Sequence, residues 1–198
     1  IITPLEGIKK AVSLETKINY VKGCSIRDTI DHDIQSSIKA VEESDVAIVF
    51  VGGSSARDFE TQYIETGAAK VNTQTILSDM DCGEGFDRAT LKLLGKQNEL
   101  LQAIAKTGKP FIVVYIQGRP LNMNFSSEKA NALLTAWYPG EEGGNAIADI
   151  LFGDYNPSGR LPISIPRSEG QLPIYYSKNN TKEYIDESKL LGLEFSKI

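Results

Sequence analysis

Apolar positions along the chain keep two alternating rhythms. Leu5, Ile8 and Val12 recur at helical spacing, Thr3 is placed to cap and Pro4 stands at the first helical position, so a helix is predicted to start at Pro4. A short strand is expected at 18–21. Ile34, Ile38 and Val41 give segment 33–43 a helical period, and it runs into 45–51, an apolar run of the kind found in parallel strands covered on both faces. Gly52-Gly53 ends that strand. A long polar stretch, 54–88, has no sustained period. Alternation then resumes with a helix at 96–106, a turn at Gly108-Lys109-Pro110, a strand at 111–117, a short helix near 126–130, a strand at 132–137 and a helix at 145–152. Segment 161–166 alternates too, but its prolines confine it to a sheet edge. From 177 to 198 the chain is polar and weakly patterned, and a surface tail is expected. Strands separated by helical segments imply βαβ units, hence a mainly parallel sheet sandwiched between helices.

Composition narrows the choice of partner. At 198 residues the chain can bury a real core. Its apolar runs are far shorter than the roughly 20 residues that cross a bilayer, so no membrane partner is expected. With a net charge of -5 and interleaved signs, it offers no basic face, so nucleic acid is not expected either. Two cysteines, Cys24 and Cys82, make no disulfide framework and have no metal-ligand spacing, and each is read as an unreactive buried or loop thiol.

In open α/β sheets ligands bind outside the carboxyl ends of the strands, which puts 54–88 on the functional edge. The stretch is dense in carboxylates: Asp58, Glu60, Glu65, Asp79, Asp81, Glu84 and Asp87. Most are solvated loop charges. Glu84 differs because Gly83 and Gly85 flank it, and residues without side chains let a backbone approach a ligand and present the carboxylate between them. Asp87 and Arg88 can pair locally and hold the turn. Asp79, Asp81 and Glu84 lack the spacing of a twelve-residue calcium loop, and a single histidine, His32, excludes a zinc site of several imidazoles. Gly52-Gly53-Ser54-Ser55 lacks the spacing of a phosphate-binding loop, and no Gly-x-Ser-x-Gly is present.

Three stretches carry a resemblance. The run from Trp137-Tyr138-Pro139-Gly140-Glu141-Glu142-Gly143-Gly144 to Asn156-Pro157-Ser158-Gly159-Arg160-Leu161-Pro162, together with Gly118-Arg119-Pro120 and Gly83-Glu84-Gly85-Phe86-Asp87-Arg88 ahead of Leu93-Leu94-Gly95-Lys96-Gln97, closely resembles the C-terminal α/β domain of glycoside hydrolase family 3. The likeness runs from about 3 to 176. It implies a flavodoxin-like three-layer α/β/α fold whose first strand would precede Thr3, with 1–176 as the sandwich domain. It also implies a two-domain active site of β-glucosidase type, in which a (β/α)8 barrel binds the sugar and supplies an aspartate nucleophile while this domain supplies the acid/base. Glu84 falls on that motif position.

The implied reaction is retaining hydrolysis of β-D-glucosidic bonds at non-reducing ends, with the two carboxyl groups about 5 to 5.5 Å apart and no metal or organic cofactor. The partners are then a β-glucoside or oligosaccharide and the barrel of the same enzyme. Arg57, Asp58 and Phe59 are candidates for sugar contact, the first two through hydroxyls and the ring by stacking, with Arg88 as a further substrate-binding candidate; a purely structural loop at 54–59 is the alternative. Against the family pattern the barrel and a following fibronectin-like domain are missing, so the chain alone is expected to be nearly inactive. Glu84, away from its partner carboxylate, is expected to titrate almost normally. Family relatives often act outside the cytoplasm, which points to a periplasmic or secreted protein. The competing function is a carbohydrate-binding or docking module that keeps the fold without the chemistry.

Overall fold

The computed structural model describes residues 1–55, 64–67, 80–83, 87–175 and 177. Three strands, β1 (Ala47–Gly52), β2 (Phe111–Ile116) and β3 (Ala132–Thr135), form a parallel sheet in the order β1-β2-β3. Ala47 lies opposite Phe111, and Ile112 opposite Ala132. Five α-helices accompany them among the described residues: α1 (Pro4–Ala11), α2 (Ile34–Glu42), α3 (Gln97–Lys106), α4 (Asn124–Lys129) and α5 (Gly143–Phe152).

Two helix starts have a local cause. Thr3 and Glu6 form a reciprocal capping box at α1, with the Thr3 amide donating to Glu6 at 2.7 Å, and Asp33 caps α2 by accepting from the Ser36 amide at 3.1 Å. Helix α5 ends on Gly153 at φ 86°, the left-handed conformation a glycine adopts without strain.

Alternate strand residues face one core. Ala47, Val49 and Val51 of β1 and Phe111, Val113 and Tyr115 of β2 pack with Val41 of α2, with Leu100, Leu101 and Ile104 of α3, and with Leu93 and Leu121. Each fully buried aliphatic side chain there contributes about 1.5–3 kcal/mol. Val114 points to the opposite face and is equally buried, so both faces of the central strand are covered. Helix α1 packs on α5, and the contact runs through glycine: a Cβ on Gly7 would stand 2.1 Å from the Gly144 carbonyl oxygen. Among the described residues no helix is long and apolar enough to cross a membrane.

Three expectations change. Residues 18–21 form no strand; Asn19 instead donates its side-chain amide to the Ser44 hydroxyl at 3.1 Å, and no backbone ladder reaches the segment. Residues 161–166 join no sheet, because prolines at 162 and 166 remove the N–H groups a ladder needs. Helix α5 begins at Gly143, earlier than periodicity indicates, since Gly143 and Gly144 carry no apolar signal; they enter the helix where the Gly144 amide donates to the Ile2 carbonyl at 3.1 Å. Apart from Ser177, the expected tail at 177–198 lies outside the described residues.

Candidate active-site edge

All three strands end on one side, so the chain leaving each of them meets the others there. Gly53-Ser54-Ser55 follows β1, Gln117-Gly118-Arg119 follows β2 and Ala136-Trp137-Tyr138 follows β3. The ends are tied to one another: the Gly53 amide donates to the Ile116 carbonyl at 2.9 Å, and the Gln117 amide to the Trp137 carbonyl at 3.2 Å.

The polar stretch returns to this edge. Met80 bridges Ser54 in parallel register, and the Asp81 amide donates to the Ser54 carbonyl at 2.8 Å. Asp81 is buried to 2 % exposure. Its Oδ1 accepts from the Ser54 amide at 2.8 Å and its Oδ2 from Arg88 Nη1 at 2.7 Å. Gly53 is required beneath it, since a Cβ there would stand 2.2 Å from Asp81 Oδ1. The Arg88 side chain is 6 % exposed, and its second terminal nitrogen, Nη2, donates to the Lys92 carbonyl. Burial lowers the Arg88 pKa while the Asp81 charge raises it and Arg119 lowers it, so a second guanidinium stands close by.

Beyond Asp81, the buried Cys82 thiol lies 2.9 Å from the Tyr138 hydroxyl, which links this segment to the end of β3. Burial, and then the bond to Cys82, push the Tyr138 phenol up to about 12. Below the edge, Gln97 reads both backbone groups of Gly52, accepting from its amide at 2.8 Å and donating to its carbonyl at 3.0 Å. That buried side chain fixes where β1 stops. The stretch after Arg88 is pinned as well: Glu169 accepts from the Leu91 amide at 2.7 Å and the Thr90 hydroxyl at 2.8 Å. The Leu91 bond, first among these contacts, brings the Glu169 carboxyl down to about 2.

Of the site residues expected from sequence, Arg88 is at this edge, paired with Asp81 and not with its neighbour Asp87, which is exposed. Glu84, Arg57, Asp58 and Phe59 lie outside the described residues. Sequence reasoning passed over Asp81, Gln97 and Tyr138. Asp81 looked like one loop carboxylate among many, and the contact between Cys82 and Tyr138 joins residues 56 apart. His32 is exposed beside the cap of α2.

The parallel sheet and its helices define an open α/β domain, whose carboxyl edge, the side on which ligands bind in such folds, gathers buried charge and glycine-lined turns. The chain belongs to the glycosyl hydrolase family 3 C-terminal domain family, whose model matches residues 1–195. It is 42% identical over 175 residues to a β-xylosidase of Formosa agariphila, covering 88% of this chain and 21% of that protein. It is 38% identical over 182 residues to a periplasmic β-glucosidase of Salmonella typhimurium, covering 91% of this chain and 23% of that one. Among solved structures, a β-glucosidase from Erythrobacter marinus superposes with a TM-score of 0.68 at 34% identity, over 88% of this chain and 24% of that chain. A β-glucosidase from Listeria innocua in complex with isofagomine gives 0.66 at 28%, over 91% and 21%. The chain thus spans about a fifth to a quarter of the length of these relatives.

Proposed function

We propose that this chain is the acid/base-supplying domain of a retaining glycoside hydrolase of β-glucosidase type, completed by a (β/α)8 barrel that carries the nucleophile. The observation that carries the reading is the anchoring of the chain on both sides of Glu84. Asp81 and Cys82 before it and Arg88 after it are held at the carboxyl edge of the sheet. Glu84 is three steps along the chain from Asp81, a span of at most about 11 Å. Gly83, at φ 116°, gives the segment a turn that only glycine adopts freely.

In the first step the barrel carboxylate attacks the anomeric carbon, the bond to the leaving oxygen breaks, and that oxygen takes the Glu84 proton. In the second, Glu84 removes a proton from water, the water oxygen bonds to the anomeric carbon, and the nucleophile is released. Arg57, Asp58 and Phe59 are proposed to touch the sugar or the leaving group. Arg88 already donates from Nη1 to Asp81 and from Nη2 to the Lys92 carbonyl, and its buried Nε, which has no partner among the described residues, is the proposed donor to a hydroxyl.

Relatives named as β-glucosidases and β-xylosidases make both sugars substrates to compare, with the β-glucoside as the proposed one. The relative named as periplasmic supports a periplasmic or secreted placement.

The test is complementation. The purified 198-residue chain should hydrolyse aryl β-glucosides negligibly, and a family 3 barrel supplied in trans should restore turnover that Glu84→Gln abolishes. Turnover by the chain alone, or a restored activity indifferent to Glu84→Gln, would refute the proposal. Sugar binding without restored turnover would favour a non-catalytic module.

A further inference from the structure

We propose that the buried pair of Asp81 and Arg88 is a clasp that closes segment 82–87 at its base and positions Glu84 for proton transfer. The proposal rests on the reading of Glu84 as the acid/base. In this role Asp81 and Arg88 are positioning residues: they act through the chain they hold and need not touch substrate.

Cost makes the pair conspicuous. Each ion taken out of water carries a penalty of several kcal/mol, and apolar side chains of similar volume commonly hold two segments together at least as well. Here the pair is kept where directionality is available. Asp81 Oδ1 is fixed by the Ser54 amide at the end of β1, which leaves Oδ2 facing Arg88. The planar guanidinium uses one arm on Asp81 and the other on the Lys92 carbonyl, so it joins the chain entering the segment to the chain leaving it.

The residues described between them are Cys82, Gly83 and Asp87. Cys82 is held by Tyr138, whereas Gly83 and Asp87 are both exposed. Glu84 stands three positions after Asp81 and four before Arg88, so the two ends from which the chain must present it are the ends that the pair joins. An ammonium in place of the guanidinium would keep the charge and lose the fork, which makes the role specific to arginine.

The experiment uses the complete enzyme and two aryl β-glucosides, one with phenol and one with 2,4-dinitrophenol as leaving group. Dinitrophenolate departs without protonation and phenolate does not, so the ratio of the two kcat/KM values reads general-acid assistance. Arg88→Lys and Asp81→Asn are compared with Glu84→Gln, and thermal melts confirm that each is folded. Asp81→Asn retains an oxygen for the Ser54 amide, so it keeps the test open if Arg88→Lys does not fold.

The clasp predicts a fall of about a hundredfold in kcat/KM for the phenyl glucoside, the scale of a misplacement of about 1 Å. The dinitrophenyl glucoside should be nearly unaffected. Equal losses on both substrates, or no loss on either, while Glu84→Gln still separates them, would overturn the clasp and leave the acid/base assignment standing. A Glu84→Gln enzyme that fails to separate the two substrates would remove the acid/base reading and the clasp with it.

Discussion

The contact between α1 and α5 and the carboxyl edge of the sheet bring two pieces of backbone together in opposite ways. At the helices backbone meets backbone through glycine: Gly7 stands against Gly144, and the Ile2 amide donates to the Glu141 carbonyl at 2.8 Å. At the edge the glycine makes room for a charged side chain, with the Asp81 carboxylate over Gly53 and the Arg88 guanidinium beyond it. The first solution costs little to desolvate. The second leaves each partner dependent on the other, so the edge is both the more expensive and the more oriented region.

That contrast breaks or holds under mutation. Asp81→Ala would leave a guanidinium buried without its counter-ion, and a loss of about 3–5 kcal/mol in denaturant unfolding is expected. Gly7→Ala should cost less, about 1–3 kcal/mol, because the added methyl forces a backbone shift in a neutral contact. If Gly7→Ala proved the more damaging, the contrast between the regions would be wrong.

A smaller effect concerns pH. Glu169 is depressed from 4.5 to about 2 by the Leu91 and Thr90 bonds, so its anchoring of the stretch after Arg88 is fully present above pH 4.5 and is lost as pH falls toward 2. Thermal melts across that window should show an acid-side decline that Glu169→Gln reduces. An unchanged decline would mean that this anchor does not contribute.

The sheet was legible because its cause is local. Val46–Val51 is an unbroken apolar run, Thr3 sits where a cap belongs, and each signal survives without knowledge of the rest of the chain. Segments 18–21 and 161–166 misled because alternation shows that a segment could be a strand and not whether a neighbour will pair with it. The clasp was hidden for a related reason. Arg88 has a carboxylate next to it at Asp87, and only the return of the chain beside Ser54 makes Asp81 its partner. Gln97 reads in sequence as one more polar helical residue, and its hold on Gly52 exists only in the folded chain.

Glu84 was reached from sequence by its flanking glycines and by the motif they share with family 3. The most direct measurement replaces it with alanine in the complete enzyme and adds azide, an anion that attacks a glycosyl-enzyme without needing a general base. The account predicts that a 2,4-dinitrophenyl β-glucoside then yields β-glucosyl azide at a rate well above the unrescued hydrolysis. Undiminished hydrolysis in that variant, or the absence of any azide product, would contradict it.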